Sequence, residues 1–233
     1  MRLDGSGAQV TGASREIGDA IAVALAARGA AVLVAHHAEA ALAEATVARA
    51  VAEFGRLDVC VANAGVTVWG HFLDYSEAKW DAVADLNLKG SFFLAQAAAR
   101  QMVRQGTPGT ILFSSSIAGR RVLPGLAAYG VTKAGLRHLA RCLAVELAPH
   151  RIAVNALGIG PTVNARNLAD DPEYDAHWGA VSPAGRAAQP DDVAAAALFL
   201  VATPYVTGET VMVDGGWTAR SPLPPMGFVD RKG

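Results

Sequence analysis

Tyr129 and Lys133 stand four residues apart, with Ser116 thirteen residues before the tyrosine and Asn87 further upstream. On a helix, a phenol and an ammonium at that spacing project from one face, a single turn apart. A cation held beside a phenol stabilises the phenolate and lowers its pKa from the usual value of about 10. The phenol could then give or take a proton nearer neutrality. A serine hydroxyl beside it could donate a hydrogen bond to an oxygen on which negative charge develops. A lone tyrosine–lysine pair at this spacing is equally an ordinary surface pattern, so the rest of the chain has to separate the two readings.

The elements that would position these groups follow from the hydropathy pattern. Short β-branched runs at Gly7–Val10, Ala31–Ala35, Asp58–Ala62, Thr110–Ser114, Ile152–Ala156 and Thr210–Val213 alternate with Ala-rich helical patterns near 17–28, 39–53, 76–105, 126–147 and 190–202. That alternation is the signature of βαβ units around a parallel sheet, an α/β fold in one domain over residues 1–220. Tyr129 and Lys133 then lie on a helix. Ser114, Ser115 and Ser116 end a strand, where polar residues line sites in open α/β sheets. Asn87 falls inside the long 76–105 pattern, where asparagine is mildly unfavourable. Residues 164–182 read as an insertion, and 221–233, with Pro222, Pro224 and Pro225, as an extended C-terminal arm.

The first strand leads into Thr11-Gly12-Ala13-Ser14-Arg15-Glu16-Ile17-Gly18. A glycine-bearing turn that opens a helix leaves free N–H groups and the positive dipole end where a phosphate can sit. Two glycines alone are weak evidence, since such turns use glycine for backbone reasons too. Together with Asn63-Ala64-Gly65, Asn87, Ser116 and the Tyr129–Lys133 pair, however, the turn occurs in the order and spacing of the short-chain dehydrogenase/reductase family. The chain resembles that family from about Leu3 to Trp217.

The resemblance implies a doubly wound Rossmann-type sheet with helices on both faces. It implies an oxidoreductase moving a hydride between a nicotinamide cofactor and a carbonyl or secondary alcohol of sugar, polyol, hydroxy ester or 3-oxoacyl type. Asn87, Ser116, Tyr129 and Lys133 become the expected catalytic set, with no metal. Gly12, Ser14, Arg15, Ile17, Gly18, His36, Asn63, Ala64, Gly65, Gly160 and Thr162, together with Tyr129 and Lys133, become the expected cofactor contacts. Lys133 is expected to lower the tyrosine pKa and to hold ribose hydroxyls, and the backbone at Asn87 to bind a water linked to that lysine. Residues 164–182 fall where the family has its substrate lid, with His177 and Trp178 as wall candidates. Trp69, His71, Arg120 and Arg121 follow strand ends and could face the substrate, the two arginines favouring an acidic or polyhydroxylated one. The long helices, through Ala95, Ala98, Ala99, Leu136, Ala140, Leu143 and Leu147, are compatible with a homodimer or homotetramer, though the same faces would serve packing on the chain's own sheet.

Several departures accompany the resemblance. Arg15, and His36 in place of an acid that would contact ribose hydroxyls, favour NADP, with NAD as the alternative. Glu16 stands where the family has a glycine, adding bulk and negative charge near a pyrophosphate position. It is expected to favour its own helix N-terminus and to weaken dinucleotide binding. Only 26 residues separate His36 from Asn63, which leaves out one edge strand that the family has on the adenine side. Ile159 replaces a proline before Gly160, which puts the rigidity of that loop in question. Glu16, Ile159, the polar Gln9 and the short interval favour an alternative function, a related binding or scaffold module with impaired cofactor binding.

Composition narrows the partners. Twenty basic against twenty-one acidic residues give a net charge of −1, which offers nucleic acid no attractive field. The stretch Ala20 to Ala35, broken by Arg28 and Gly29, is too short to span a bilayer, and Met1 to Val10 lacks the apolar run of a signal peptide. Cys60 and Cys142 fit buried free thiols better than a disulfide. A cytoplasmic enzyme acting on a small molecule is the expectation.

Overall fold

The computed structural model describes residues 3–14, 16–35 and 40–220. The expectations for Arg15, His36 and the arm 221–233 lie outside that set. Six strands, β1 (Gly7–Thr11), β2 (Ala31–Ala35), β3 (Val59–Ala62), β4 (Gly109–Ser116), β5 (Ile152–Ile159) and β6 (Thr210–Val213), form one parallel sheet in the order β2-β1-β3-β4-β5-β6. The chain winds outward from β1 to β2 and then crosses to β3 on the other side. This puts a topological switch between β1 and β3, with a crevice beyond their C-terminal ends. The described sheet stops at β2, whose residues are half-buried or exposed.

Side-chain alternation divides the core into two layers. Ile111 and Phe113 of β4 face one side of the sheet and Leu112 the other, as a period of two requires. Helices α1 (Glu16–Ala26) and α8 (Pro190–Ala202) cover the second side with Ile21, Leu25, Val193, Ala197 and Leu200. The first side is covered by α2 (Ala43–Phe54), α4 (Ser91–Gln105) and α5 (Ala127–Glu146), through Val47, Ala50, Leu94, Ala98, Met102, Leu136 and Ala140. Eight of the twelve positions that these helices give to this core layer are alanine, so the helices sit close to the sheet. The fully buried Leu136 would cost about 2–5 kcal/mol if cut to alanine.

Several boundaries differ from those the pattern suggests. The 76–105 stretch is not one α-helix: α3 (Glu77–Ala84) passes through a π-turn at Asp85–Gly90 before α4 begins. β3 starts one residue late because the Asp58 carboxylate accepts from the Gly7 N–H at 2.9 Å and pairs with Arg56 at 2.7 Å. The 164–182 insertion holds two short helices, α6 (Ala165–Asp170) and α7 (Tyr174–Val181). Of the two free thiols Cys60 is buried, its pKa pushed up to about 12 by burial, but Cys142 is exposed. It lies midway between the inward residues Ala140 and Ala144, which turns it to the outer face of α5. Among the described residues, no helix is long and apolar enough to cross a membrane and no cluster of His, Cys, Asp or Glu could hold a metal ion.

Candidate active site

A cleft of about 350 Å³ opens beyond the C-terminal ends of β1, β3, β4 and β5, roofed by α6 and α7. Its floor is built by hydrogen bonds among the strand ends. The Thr11 hydroxyl accepts from the N–H groups of Asn63 (3.1 Å) and Ala64 (3.2 Å). The Asn63 amide donates to the Thr11 carbonyl at 3.0 Å, and its oxygen accepts from the Ser114 hydroxyl at 2.9 Å. One asparagine thus ties together β1, β3 and β4. Gly12 has φ +63°, and a Cβ there would lie 2.7 Å from the Ala64 Cα, so the turn after β1 closes against the turn after β3 only with glycine. Gly18 packs under the same turn beside Asn63, while Ser14 is exposed at its tip.

The catalytic candidates converge on the other half of the cleft. β4 runs to Ser116 and ends in a 3₁₀ turn, Ile117–Gly119, that packs on α5. A Cβ at Gly119 would lie 2.7 Å from the Lys133 backbone, so glycine lets the turn and helix approach closely. The Ser115 hydroxyl pins the Lys133 carbonyl at 2.7 Å. The Tyr129 hydroxyl lies beside the Ser116 and Thr67 side chains, both of which act to lower its pKa. Lys133 is buried; its Nζ donates to the Ser114 carbonyl at 2.7 Å and lies 5.5 Å from the Tyr129 ring centroid.

These contacts set the electrostatics of the pair. Burial pushes the Tyr129 phenol above its ordinary value, against the pull of Ser116, Thr67 and the Arg166 charge. Lys133 adds a positive charge 5.5 Å from the ring centroid. It sits beneath the ring, bound to a carbonyl, and burial lowers its own pKa to about 8. Asn87 is fully buried and mimics a strand partner: its Oδ1 accepts from the Val66 N–H at 2.8 Å and its Nδ2 donates to the Val66 carbonyl at 2.9 Å. The π-turn that carries it is a common helix irregularity at functional sites. Gly65 lies between Asn87 and Lys133, close to both.

The loop after β5 is firmer than the missing proline suggests. With Ile159 in its place the ladder continues, Ile159 pairing with Ser116 and Val213, and the Gly160 N–H donates to Val213 at 2.9 Å. Thr162 is buried, its hydroxyl donating to the Gly160 carbonyl at 3.1 Å. Ile17, Asn63, Gly65, Tyr129, Lys133, Gly160 and Thr162 all line the cleft.

Glu16 also lines it and behaves unexpectedly. Its φ of 61° is left-handed, a conformation that costs an L-residue about 1–2 kcal/mol. Its carboxylate stands in the first turn of α1, where an acid favours the helix N-terminus. It reaches across and accepts from the Ala165 N–H of α6 at 3.0 Å. The half of the cleft around Gly65, with its close-packed glycine and buried polar groups, has the chemistry to hold a nicotinamide ring, whereas the turn after β1 holds a carboxylate beside it.

Other expected substrate contacts are sorted by geometry. Trp69 and Trp178 line the cleft. His177 turns outward to Asp171 at 2.8 Å, whose carboxylate raises its pKa. Arg121 donates to the Thr218 carbonyl at 2.6 Å, and His71 and Arg120 are exposed away from the lining. Arg166, Asn167, Thr67 and Tyr174 line the cleft without having been singled out by sequence. Tyr174 lies against the Thr162 backbone, and burial pushes its phenol to about 12. Asn164 could have located these residues, since it caps α6 by accepting from the Asn167 N–H at 2.8 Å.

A family model described as "Enoyl-(Acyl carrier protein) reductase" matches residues 38–218. The 2-dehydro-3-deoxy-D-gluconate 5-dehydrogenase of Dickeya dadantii is 39% identical over 76% of this chain and 71% of its own length. The 3-oxoacyl-[acyl-carrier-protein] reductase of Synechocystis is 36% identical over 90% of this chain and 95% of its own. A crystal structure of a short-chain type dehydrogenase/reductase from Mycobacterium marinum superposes with a TM-score of 0.88 at 32% identity, over 94% of this chain and 98% of that one.

Proposed function

Since the chain belongs to the short-chain dehydrogenase/reductase family and is an oxidoreductase, we propose that it interconverts a small carbonyl compound and its secondary alcohol with Tyr129 as the proton donor and acceptor. The observation that carries this reading is that Ser116, Tyr129 and Lys133 line one cleft, the tyrosine beside the serine and the lysine buried below its ring. A bound nicotinamide cofactor would supply or accept the hydride. Tyr129, Lys133, Gly160, Thr162 and Gly65 would hold its nicotinamide end, and Gly12, Ser14, Ile17 and Gly18 its phosphates. Arg15 and His36 favour NADP.

In reduction, the Ser116 hydroxyl would donate to the carbonyl oxygen, and the Tyr129 O–H bond would break as its proton moves to that oxygen. Burial keeps the phenol protonated at neutral pH, which suits this direction. The phenolate left behind is stabilised by Ser116, Thr67 and the Arg166 charge. In oxidation the same groups run in reverse. Asn87 holds the loop after β3 against α5, so that Gly65 stays beside Lys133. Residues 164–182 act as the lid over the substrate.

Relatives are named for both a sugar acid and an acyl thioester, and both classes contain the required carbonyl. Titration with NADPH and NADH, followed by nicotinamide fluorescence, should give saturable binding with NADPH the tighter. Tyr129→Phe should lower kcat about 10²- to 10⁴-fold with cofactor affinity retained. Turnover unchanged by that substitution sinks the reading.

A homo-oligomer, a dimer or tetramer, fits a groove of about 440 Å³ on the outer side of α4 and α5, lined by Phe92, Ala99, Val103, Leu143 and Leu147. Ala98, Leu136 and Ala140 instead face the chain's own core. A monomer mass by light scattering would exclude assembly.

A further inference from the structure

We infer that Arg166 selects a substrate bearing a carboxylate, making the enzyme's preferred substrates hydroxy or oxo acids over neutral sugars, polyols and acyl thioesters. This names the substrate class within the reading above and rests on it. Three charged side chains line the cleft among the described residues: Glu16, Lys133 and Arg166. Lys133 is buried and held by the Ser114 carbonyl, and Glu16 is held by Ala165. Arg166 is different. Its side chain is 55% exposed, and its partners are the Thr67 carbonyl at 3.2 Å and Asp170 at the outer limit of contact, 4.0 Å. A guanidinium offers five N–H donors in a fork matched to a carboxylate, so most of its donor capacity remains for a ligand.

The position of that fork is defined. Arg166 stands in the first turn of α6, where Asn164 caps the helix and Glu16 fixes the Ala165 N–H. Its Nη2 reaches the Thr67 carbonyl, and the Thr67 side chain lies beside the Tyr129 hydroxyl. The cation is therefore one residue from the group that would handle the reacting oxygen. A carboxylate held there would leave a carbonyl or alcohol further along the same small molecule to reach Ser116 and Tyr129. Asn164 and Asn167 on the same roof are held by each other and by the Thr162 carbonyl, which fixes the start of α6 around the arginine. The arginines expected from sequence to do this, Arg120 and Arg121, do not line the cleft.

The test uses the full chain with D-gluconate and D-glucitol, which share a six-carbon hydroxylated skeleton and differ in the carboxylate. Binding is read by tryptophan fluorescence, since Trp69 and Trp178 line the cleft, so neither cofactor nor turnover is needed. Gluconate should bind about 10- to 100-fold more tightly than glucitol, as expected for charge-assisted hydrogen bonds. Arg166→Met should erase that difference with glucitol binding unchanged, and Arg166→Lys should retain part of it. Gluconate binding no tighter than glucitol, or undiminished in Arg166→Met, overturns the assignment. Gluconate selectivity with no NADPH or NADH binding would count against the dehydrogenase reading and support the arginine's role. Turnover of glucitol in preference to gluconate would do the opposite.

Discussion

Replacing Glu16 by glycine should tighten cofactor binding while leaving stability almost unchanged. The residue sits at φ 61° and bonds the Ala165 N–H at 3.0 Å. Glycine relieves about 1–2 kcal/mol of left-handed strain. It gives up a half-exposed charge-assisted bond of about 1–2 kcal/mol and adds about 0.5–1 kcal/mol of unfolded-chain entropy. These contributions cancel to within about 1 kcal/mol. The carboxylate's repulsion of a phosphate about 4 Å away is about 1 kcal/mol in water and about 4 at the effective dielectric of a protein surface. An intermediate value of about 2 kcal/mol predicts about a 30-fold gain in NADPH affinity. Glu16→Gln keeps the bulk and the strained backbone but removes the charge, so it should recover most of that gain. NADPH fluorescence titrations at low and high salt, with thermal melts of each variant, provide the measurement. The gain should shrink in high salt. Affinities equal to the parent chain in both variants would refute the electrostatic reasoning.

Two further predictions concern stability. Lys133 keeps its proton less well when folded, its pKa falling from 10.5 to about 8. Between those values the unfolded chain binds more protons, so this group makes the cofactor-free protein more stable as pH rises from about 8 to 10.5. Lys133→Met should abolish turnover, remove that rise, and at pH 7 gain about 1 kcal/mol, the roughly 3 kcal/mol cost of a buried charge less its bond to Ser114. Denaturant titrations of both proteins across this window check it; a parent-minus-variant difference that falls with pH contradicts it. Gln9, fully buried in β1 beside Cys60 and Leu33, has neither amide atom partnered. Gln9→Leu should therefore stabilise by about 2 kcal/mol, roughly 4–8 °C in Tm, with activity intact. A lower Tm would mean that the amide is satisfied after all.

The sheet was legible because its strands announce themselves by β-branched runs and its helices by alanine-rich spacing, and the motif order carried the placement of Ser116 beside Tyr129. What sequence did not reveal depends on side chains meeting across long separations. The π-turn at Asp85–Gly90 looks helical because its periodicity is helical; only the pairing of Asn87 with Val66, twenty-one residues away, marks the irregularity. Arg166 lies in a polar insertion with no strong periodicity, so its approach to Thr67 could not be counted from spacing. Spacing shows Lys133 beside Tyr129, but not that its ammonium also donates to the Ser114 carbonyl, nineteen residues upstream. Glu16 was recognised as out of place, but its partner, 149 residues later, was not foreseeable.

A π-turn holds one residue more than the α-turn it replaces. Between α3 and α4 the chain therefore carries a supernumerary position, and residues on either side keep their inward faces only because that position is absorbed locally. Removing one residue from Asp85–Leu88 would let a regular α-helix run through with both flanking faces still turned inward, while carrying the Asn87 amide away from Val66. Folding would tolerate the shorter chain and chemistry would not. The extra residue is a length reserve kept for the site alone.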